Sequence, residues 1–396
     1  MLSDHPLFVV MAVAVVAPLL AEIPIGLRVP VVVLEVVLGV LVGPHVLGLV
    51  KFDAILSLMF IIGMAVTLFM AGMEIDFDKI RDRPLSLALL GWVVSVVLAF
   101  VVVALLHVIP GVDAPMMVTI ALCTTGLGAL LPILRDGGQL ETRSGRMLLA
   151  AGSVGEVGPI LAVSLVLSQR YSTWQELGFL LAFLALVGVT AAIGMGVRPP
   201  KVLALLARTL HASTQLPVRL ALLIMGALVI VSLEFGFEAI LGAFAAGMIV
   251  GLATRGEEGE PFRAKIDAVC FGWFTPFFFV GTGIHFDLGA LTRDVATMVL
   301  VPAFLVPFLV VRGAPVVLYR DGIAKPERLP FALSASVASL SLVVVITHIG
   351  LRVKNMNPDV AQALVGAALL SLLLYPALAG VLSSRIALPA PRATST

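Results

Sequence analysis

Charge is what this sequence has least of. Only 12% of its 396 residues are Asp, Glu, Lys or Arg and 60% are hydrophobic, where a soluble domain carries about 25% charged residues. A chain this poor in charge cannot coat a water-facing surface, which excludes a soluble globular protein. The charges that remain nearly cancel, at a net +1. That balance excludes a nucleic-acid partner or a polybasic lipid-binding tail. Cysteine is scarce too: Cys123 and Cys270 both sit in apolar stretches, and two thiols make no disulfide framework. There is no P-loop, hydrolase elbow, zinc motif or dinucleotide fingerprint, so direct ATP drive, enzymatic turnover and a bound cofactor are not expected. His45, His107, His285 and His348 show no metal-ligand spacing.

What the sequence has in abundance is apolar runs of bilayer length. Punctuation by Pro, Gly and charge divides them into thirteen predicted spans. These cover 6–21, 29–49, 54–73, 84–108, 114–134, 146–168, 174–197, 215–233, 236–253, 265–284, 290–319, 329–350 and 358–384. The chain thus reads as an all-α polytopic membrane protein forming a single membrane domain over 1–396. Its first apolar run, in MLSDHPLFVV, lacks a basic flank and a cleavage site, so it reads as a span and not a signal peptide. Alternate loops carry five basic residues (Lys51, Arg170, Arg293, Arg352 and Lys354) on one side and nineteen on the other, with Arg312 inside a span. The positive-inside rule then expects the N-terminus outside and the C-terminus in the cytoplasm of an inner-membrane, multi-pass protein.

Two short repeats organise these spans. LFMAGMEIDFD (68–78) at the end of the third span matches FFFVGTGIHFD (277–287) at the end of the tenth. EVVLG (35–39) in the second matches EAILG (238–242) in the ninth. Both matches are offset by seven spans, an odd number, so the copies run oppositely through the membrane. The competing reading is chance similarity between Gly- and Phe-rich segments. Inverted repeats are a hallmark of secondary transporters. The repeats would cover about 6–168 and 215–384, with 174–197 as a connector.

Interrupted helices are expected where such repeats build a site, because freed backbone groups can face an ion there. The fifth span contains CTTGLGALLP (123–132) and its counterpart, the twelfth, SASVASLSLVVV (334–345). Gly126, Gly128, Ser339 and Ser341 mark the interruptions, against the plainer reading that small residues serve close helix packing. In the sixth span, AAGSVGEVGPILAV (150–163) places Glu156 ten residues beyond Arg146. That is roughly 15 Å of helical rise, near the bilayer midplane. Burying a charge there costs at least about 2.5–3.5 kcal/mol, so Glu156 is the leading ion- or proton-binding candidate. Its competing role is a permanently protonated hydrogen-bond donor. Ser153, Thr124 and Thr125 would complete an oxygen shell of the kind alkali cations favour. Arg312 is the single basic residue deep in a span: a fixed cation pairing with an acid or polar backbone, or a side chain snorkelling to the interface. Glu74, Asp76 and Asp78 are read as a cytoplasmic funnel for cations or as merely solvated acids, and Glu35 and Glu238 as interfacial or domain contacts.

The motifs VPVVVLEVVLGVLVGPHVLGLV (29–50), LFMAGMEIDF (68–77), GFEAILGAFAAGMIVG (236–251) and FGWFTPFFFVGTGIHFDL (271–288) together resemble the monovalent cation:proton antiporter-2 family. Its Kef-type and NapA-like members belong to the Na⁺/H⁺ exchanger superfamily. The resemblance runs from about residue 20 to 380. It implies a thirteen-helix homodimer of the NhaA/NapA-like fold, with a dimerisation domain and a moving core of crossed, interrupted helices. It also implies exchange of Na⁺ or K⁺ for H⁺, an ion-binding acid at Glu156 and a fixed cation at Arg312. Two departures matter. Electrogenic members carry adjacent acids where this chain has Gly155-Glu156, so 1:1 electroneutral exchange is expected. Kef-type chains continue into a nucleotide-binding regulatory domain, which is not expected here because the chain ends at Thr396. Alternatives of other classes are a sodium-coupled symporter of an organic anion and a non-transporting membrane subunit or sensor.

Overall fold

The structure, a computed structural model, describes residues 5–23, 29–75, 80, 83–106, 114–136, 139, 142–167, 173–196, 208–210, 212–256, 259–287, 289 and 295–386. Every regular element among them is helical. In chain order these are α1 (Pro6–Ala21), α2 (Val31–Val42), α3 (Ala54–Met73), α4 (Arg83–Leu106), α5a (Pro115–Leu122), α5b (Leu127–Asp136), α6 (Arg143–Leu167) and α7 (Thr173–Gly196). There follow α8 (Leu216–Glu234), α9 (Ala239–Ala253), α10 (Glu260–His285), α11 (Val295–Gly313), α12a (Arg328–Ala335), α12b (Leu340–Arg352) and α13 (Pro358–Ile386). Eight of the spans are long and apolar enough to cross a bilayer, and four shorter apolar helices join them. The broken α5 makes the thirteenth among the described residues. The chain is a multi-pass membrane protein.

Most predicted boundaries fall within a few residues of these helices. The second span is shorter than its apolar run suggests. Gly43 and Pro44 stop α2, and the chain folds back so that the Leu49 and Val50 N–H groups donate to Val42 O at 3.0 and 3.1 Å. The turn between α8 and α9 is tight, with Gly236 at φ +85° and Phe237 N donating to Ser232 O. In α10, one π-helical turn at Cys270–Phe274 had no sequence signal. Asp53 caps α3 by accepting from Leu56 N at 2.7 Å, satisfying a donor the first turn cannot pair internally.

The helices pack as two bundles. One contains α1–α3 and α8–α10; the other contains α4–α6 and α11–α13. Pairings recur at the seven-span offset: α3 packs on α9 as α10 packs on α2, and α4 on α6 as α11 on α13. This is the packing signature of the inverted repeat. In the first bundle the backbones touch. A Cβ on Gly247 would lie 1.9 Å from Phe69 O, and one on Gly283 would lie 2.1 Å from Val36 O. Only glycine permits such approach, which supplies dispersion contacts where lipid offers no hydrophobic gain. The two bundles meet where α3 touches α12b, α6 touches α9 and α2 touches α13, and α7 packs on α9.

Candidate ion-binding site

Both predicted interruptions exist, and they cross. α5a ends at Leu122 and α5b begins at Leu127; α12a ends at Ala335 and α12b begins at Leu340. Gly126 and Ser339 lie in the unwound segments, while Gly128 and Ser341 fall in the first turns of the half-helices that follow. Unwinding frees backbone groups that a membrane interior cannot solvate, and here they are satisfied by the opposite unwound segment and by the neighbouring helices α6 and α13. Gly126 N donates to Val337 O at 2.8 Å, Thr125 N to Gly155 O at 3.0 Å, and Ala338 N to Ser371 Oγ at 3.1 Å. A Cβ on Gly126 would stand 2.9 Å from Ala338 O, so the crossing itself requires glycine there.

Glu156 reaches this crossing from α6 and is 2% exposed. Its Oε2 accepts from Leu127 N at 2.9 Å, and its Oε1 accepts from Ser339 Oγ at 2.8 Å. Leu127 is the first residue of α5b, and Ser339 is the N-cap residue of α12b. The carboxylate therefore faces two half-helix N-termini, whose partial positive charges favour an anion. Those donors offset part of the cost of a carboxylate at this depth.

Arg312 is 5% exposed and lies inside the protein, so snorkelling does not describe it. Its Nε donates to Thr125 Oγ1 at 2.7 Å, Nη1 to Ser95 Oγ at 3.2 Å, and Nη2 to Ala151 O at 2.8 Å. Among the described residues it forms no ion pair, with Glu156 or any other acid. Thr125 Oγ1 in turn donates to Ala335 O, the last residue of α12a. The guanidinium thus ties α4, α5, α6 and α11 together, and through Thr125 it bears on the C-terminal, partially negative end of α12a. Acid and base are matched to opposite helix ends instead of to each other. Gly155 makes room for this arrangement, since a Cβ there would lie 2.6 Å from Arg312 Nη2 and 2.8 Å from Thr125 Oγ1. Where a neighbouring acid would stand, the guanidinium stands. Gly158 also makes a close approach, against the Trp92 indole of α4.

The remaining candidates divide. Ser153 is buried, and its Oγ has no hydrogen-bond partner among the described residues; three residues before Glu156 on α6, it shares that residue's face. Thr124 is buried, but its hydroxyl bonds back to Ala121 O at 2.8 Å. Thr125 is engaged by Arg312 and Ala335 as described. Glu74 is the C-cap of α3, with its carboxylate 3.4 Å from where a Gly128 Cβ would be. Asp76 and Asp78 lie outside the described residues. Sequence reasoning did not select Ser95 or Ser371, each a buried hydroxyl that satisfies a group at the crossing. A lone serine inside a run such as WVVSVVLAFVVV was the available signal.

Comparison with known proteins matches this architecture. The family described as "Sodium/hydrogen exchanger, transmembrane" covers residues 11–382. The putative Na⁺/H⁺ antiporter YjbQ of Bacillus subtilis is 25% identical over 94% of this chain, which spans 62% of that relative's length. The Na⁺/H⁺–K⁺ antiporter GerN of Bacillus cereus is 24% identical over 70% of each protein. Among solved structures, the sodium proton antiporter MjNhaP1 of Methanocaldococcus jannaschii superposes with a TM-score of 0.63 over 97% of this chain and 99% of that one, at 16% identity. With crossed broken helices around a buried acid, and a family match running almost from end to end, the chain belongs to the transmembrane sodium/hydrogen exchanger family.

Proposed function

We propose that this protein exchanges a monovalent cation, Na⁺ or K⁺, for H⁺ across the cell membrane, one for one, through Glu156. It does so as a homodimer with its N-terminus outside. The observation that carries the reading is the position of Glu156. It is a buried carboxylate whose two oxygens are held by donors from the two crossing half-helices. Such a group takes up a proton or a small cation, and either one neutralises it. Occupancy by one excludes the other at a single carboxylate, and this competition couples the two fluxes. The unpaired Ser153 hydroxyl supplies a further oxygen for the cation. The core bundle, carrying the crossing, then moves against the other bundle once its charge is cancelled.

The one-for-one ratio rests on Gly155 and Arg312. Position 155, beside Glu156, is glycine and carries no second carboxylate, its space being taken by the guanidinium, so one charge moves each way and the cycle is electrically silent. Arg312 spends its donors on Thr125, Ser95 and Ala151. Among the described residues no other basic side chain bonds to the crossing, so none is available there to hold an organic anion, which argues against the symport reading.

Purified protein in proteoliposomes tests this directly. Glu156→Gln is expected to abolish cation-driven proton movement, and the parent rate is expected to be unchanged by an imposed membrane potential. Exchange that survives the substitution overturns the assignment of Glu156; a potential-dependent rate overturns the ratio.

A further inference from the structure

Glu238, which the EVVLG/EAILG repeat singled out, is not part of the ion site, yet it makes a short ion pair. Arg352 Nη2 donates to Glu238 Oε1 at 2.6 Å. The two residues belong to different bundles. Glu238 is the N-cap residue of α9 in the first bundle, and its backbone carbonyl is tied to α8 by Ser232 Oγ at 2.9 Å. Arg352 is the last residue of α12b in the core bundle.

α12b therefore links two events. Its N-cap residue, Ser339, holds the carboxylate of Glu156, and its C-terminal residue holds the other bundle. Its 13 residues form one uninterrupted α-helix, about 20 Å long. One turn before Arg352, His348 provides a second contact between bundles. Its ring lies 5.6 Å, centroid to centroid, from Phe60 of α3, which in turn lies 5.5 Å from His285 of α10. The repeat-related acid, Glu35 on α2, is 5% exposed and has no hydrogen-bond or ion-pair partner among the described residues.

We propose that Glu238–Arg352 is a latch: it is made when the face bearing the α8–α9 turn and the end of α12b is closed, and it breaks when the core bundle moves. The latch rests on the transport reading for its purpose but not for its detection. Arg352 is 56% exposed, so the pair biases the equilibrium and does not lock it. Breaking it shifts the populations of the two states by about two- to fivefold.

The test uses spin labels at Leu47→Cys, in the turn after α2, and Val353→Cys, just beyond α12b, in a Cys123→Ala/Cys270→Ala background. The distance distribution between them is read in detergent or nanodiscs. Arg352→Gln and Glu238→Gln are each expected to increase a longer-distance population about two- to fivefold, and the charge swap Glu238→Arg/Arg352→Glu to restore the parent distribution. Distributions unchanged in both single variants overturn the latch. In vesicles, joining Glu238→Cys to Arg352→Cys with a short thiol cross-linker is expected to stop exchange until reduction. Linking His45→Cys to Asp287→Cys, which lie 3.4 Å apart as side chains within the first bundle, is expected not to. Full exchange in the cross-linked protein overturns the latch as well. Inert parent vesicles combined with shifted distances would remove the transport reading and leave the latch standing.

Discussion

At the scale of single residues, the site separates its two buried charges. Glu156 is held by Leu127 N and Ser339, and Arg312 by Thr125, Ser95 and Ala151. Replacing Arg312 removes three charge-assisted hydrogen bonds from a dry interior, although the Ser95 and Thr125 hydroxyls keep the bonds they donate to Val311 O and Ala335 O. Hydrogen bonds to charged groups contribute about 1.5–3 kcal/mol each. Arg312→Met is therefore expected to lower the melting temperature in detergent markedly. Because the guanidinium does not pair with Glu156, whatever exchange remains should stay insensitive to membrane potential. A potential-dependent rate in Arg312→Met would mean that the cation balances the cycle's charge directly. The acid and the base were both visible in the sequence as charges stranded in apolar runs. Thr125 and Ser339 were selected as well, but Leu127 N, Ala151 O and Ser95 were not, because backbone groups carry no side-chain signature and Ser95 comes from a helix far along the chain from Arg312.

At the scale of elements, the crossing of α5 and α12 positions everything else. It brings Leu127 and Ser339, 212 positions apart by their numbers, onto one carboxylate. Gly126 is its tightest point. Gly126→Ala would press a methyl to 2.9 Å from Ala338 O, overpacking worth about 1–3 kcal/mol. The two N-termini would separate from Glu156, so we expect the variant to lose cation-induced thermal stabilisation before it loses its fold. An unchanged cation-dependent melting shift would show that the crossing tolerates the strain. The interruptions were legible in CTTGLGALLP and SASVASLSLVVV. The register was legible only to within a turn, since Gly128 and Ser341 lie in intact helix.

At the scale of the whole molecule, the two bundles have different work. The first is cemented by glycine-mediated contacts between α3 and α9 and between α2 and α10; the second holds the candidate site around Glu156. Gly247→Val, which drives a side chain into the Phe69 carbonyl, is expected to lower the melting temperature without altering the apparent cation affinity of the folded fraction. A changed affinity would mean that the first bundle shapes the site. Contacts between the bundles are fewer and polar at their edge, as the Glu238–Arg352 pair shows, which suits one body sliding against another.

The sequence by itself determined the membrane class, thirteen spans, the inverted repeat and the two broken helices, and it singled out Glu156 as an acid stranded in an apolar span. Each of these follows from local composition, or from spacing along one segment. Lipid imposes length on every span, and it makes each stranded charge conspicuous. Only the tertiary structure decided which helix ends meet which charge. It placed Arg312 on Thr125 instead of Glu156, made Gly155 the space that the guanidinium fills, and joined Glu238 to Arg352 across the bundles. Those pairings depend on chain segments brought together by packing, where backbone donors and helix dipoles weigh as much as side chains, and neither leaves a mark in the order of residues.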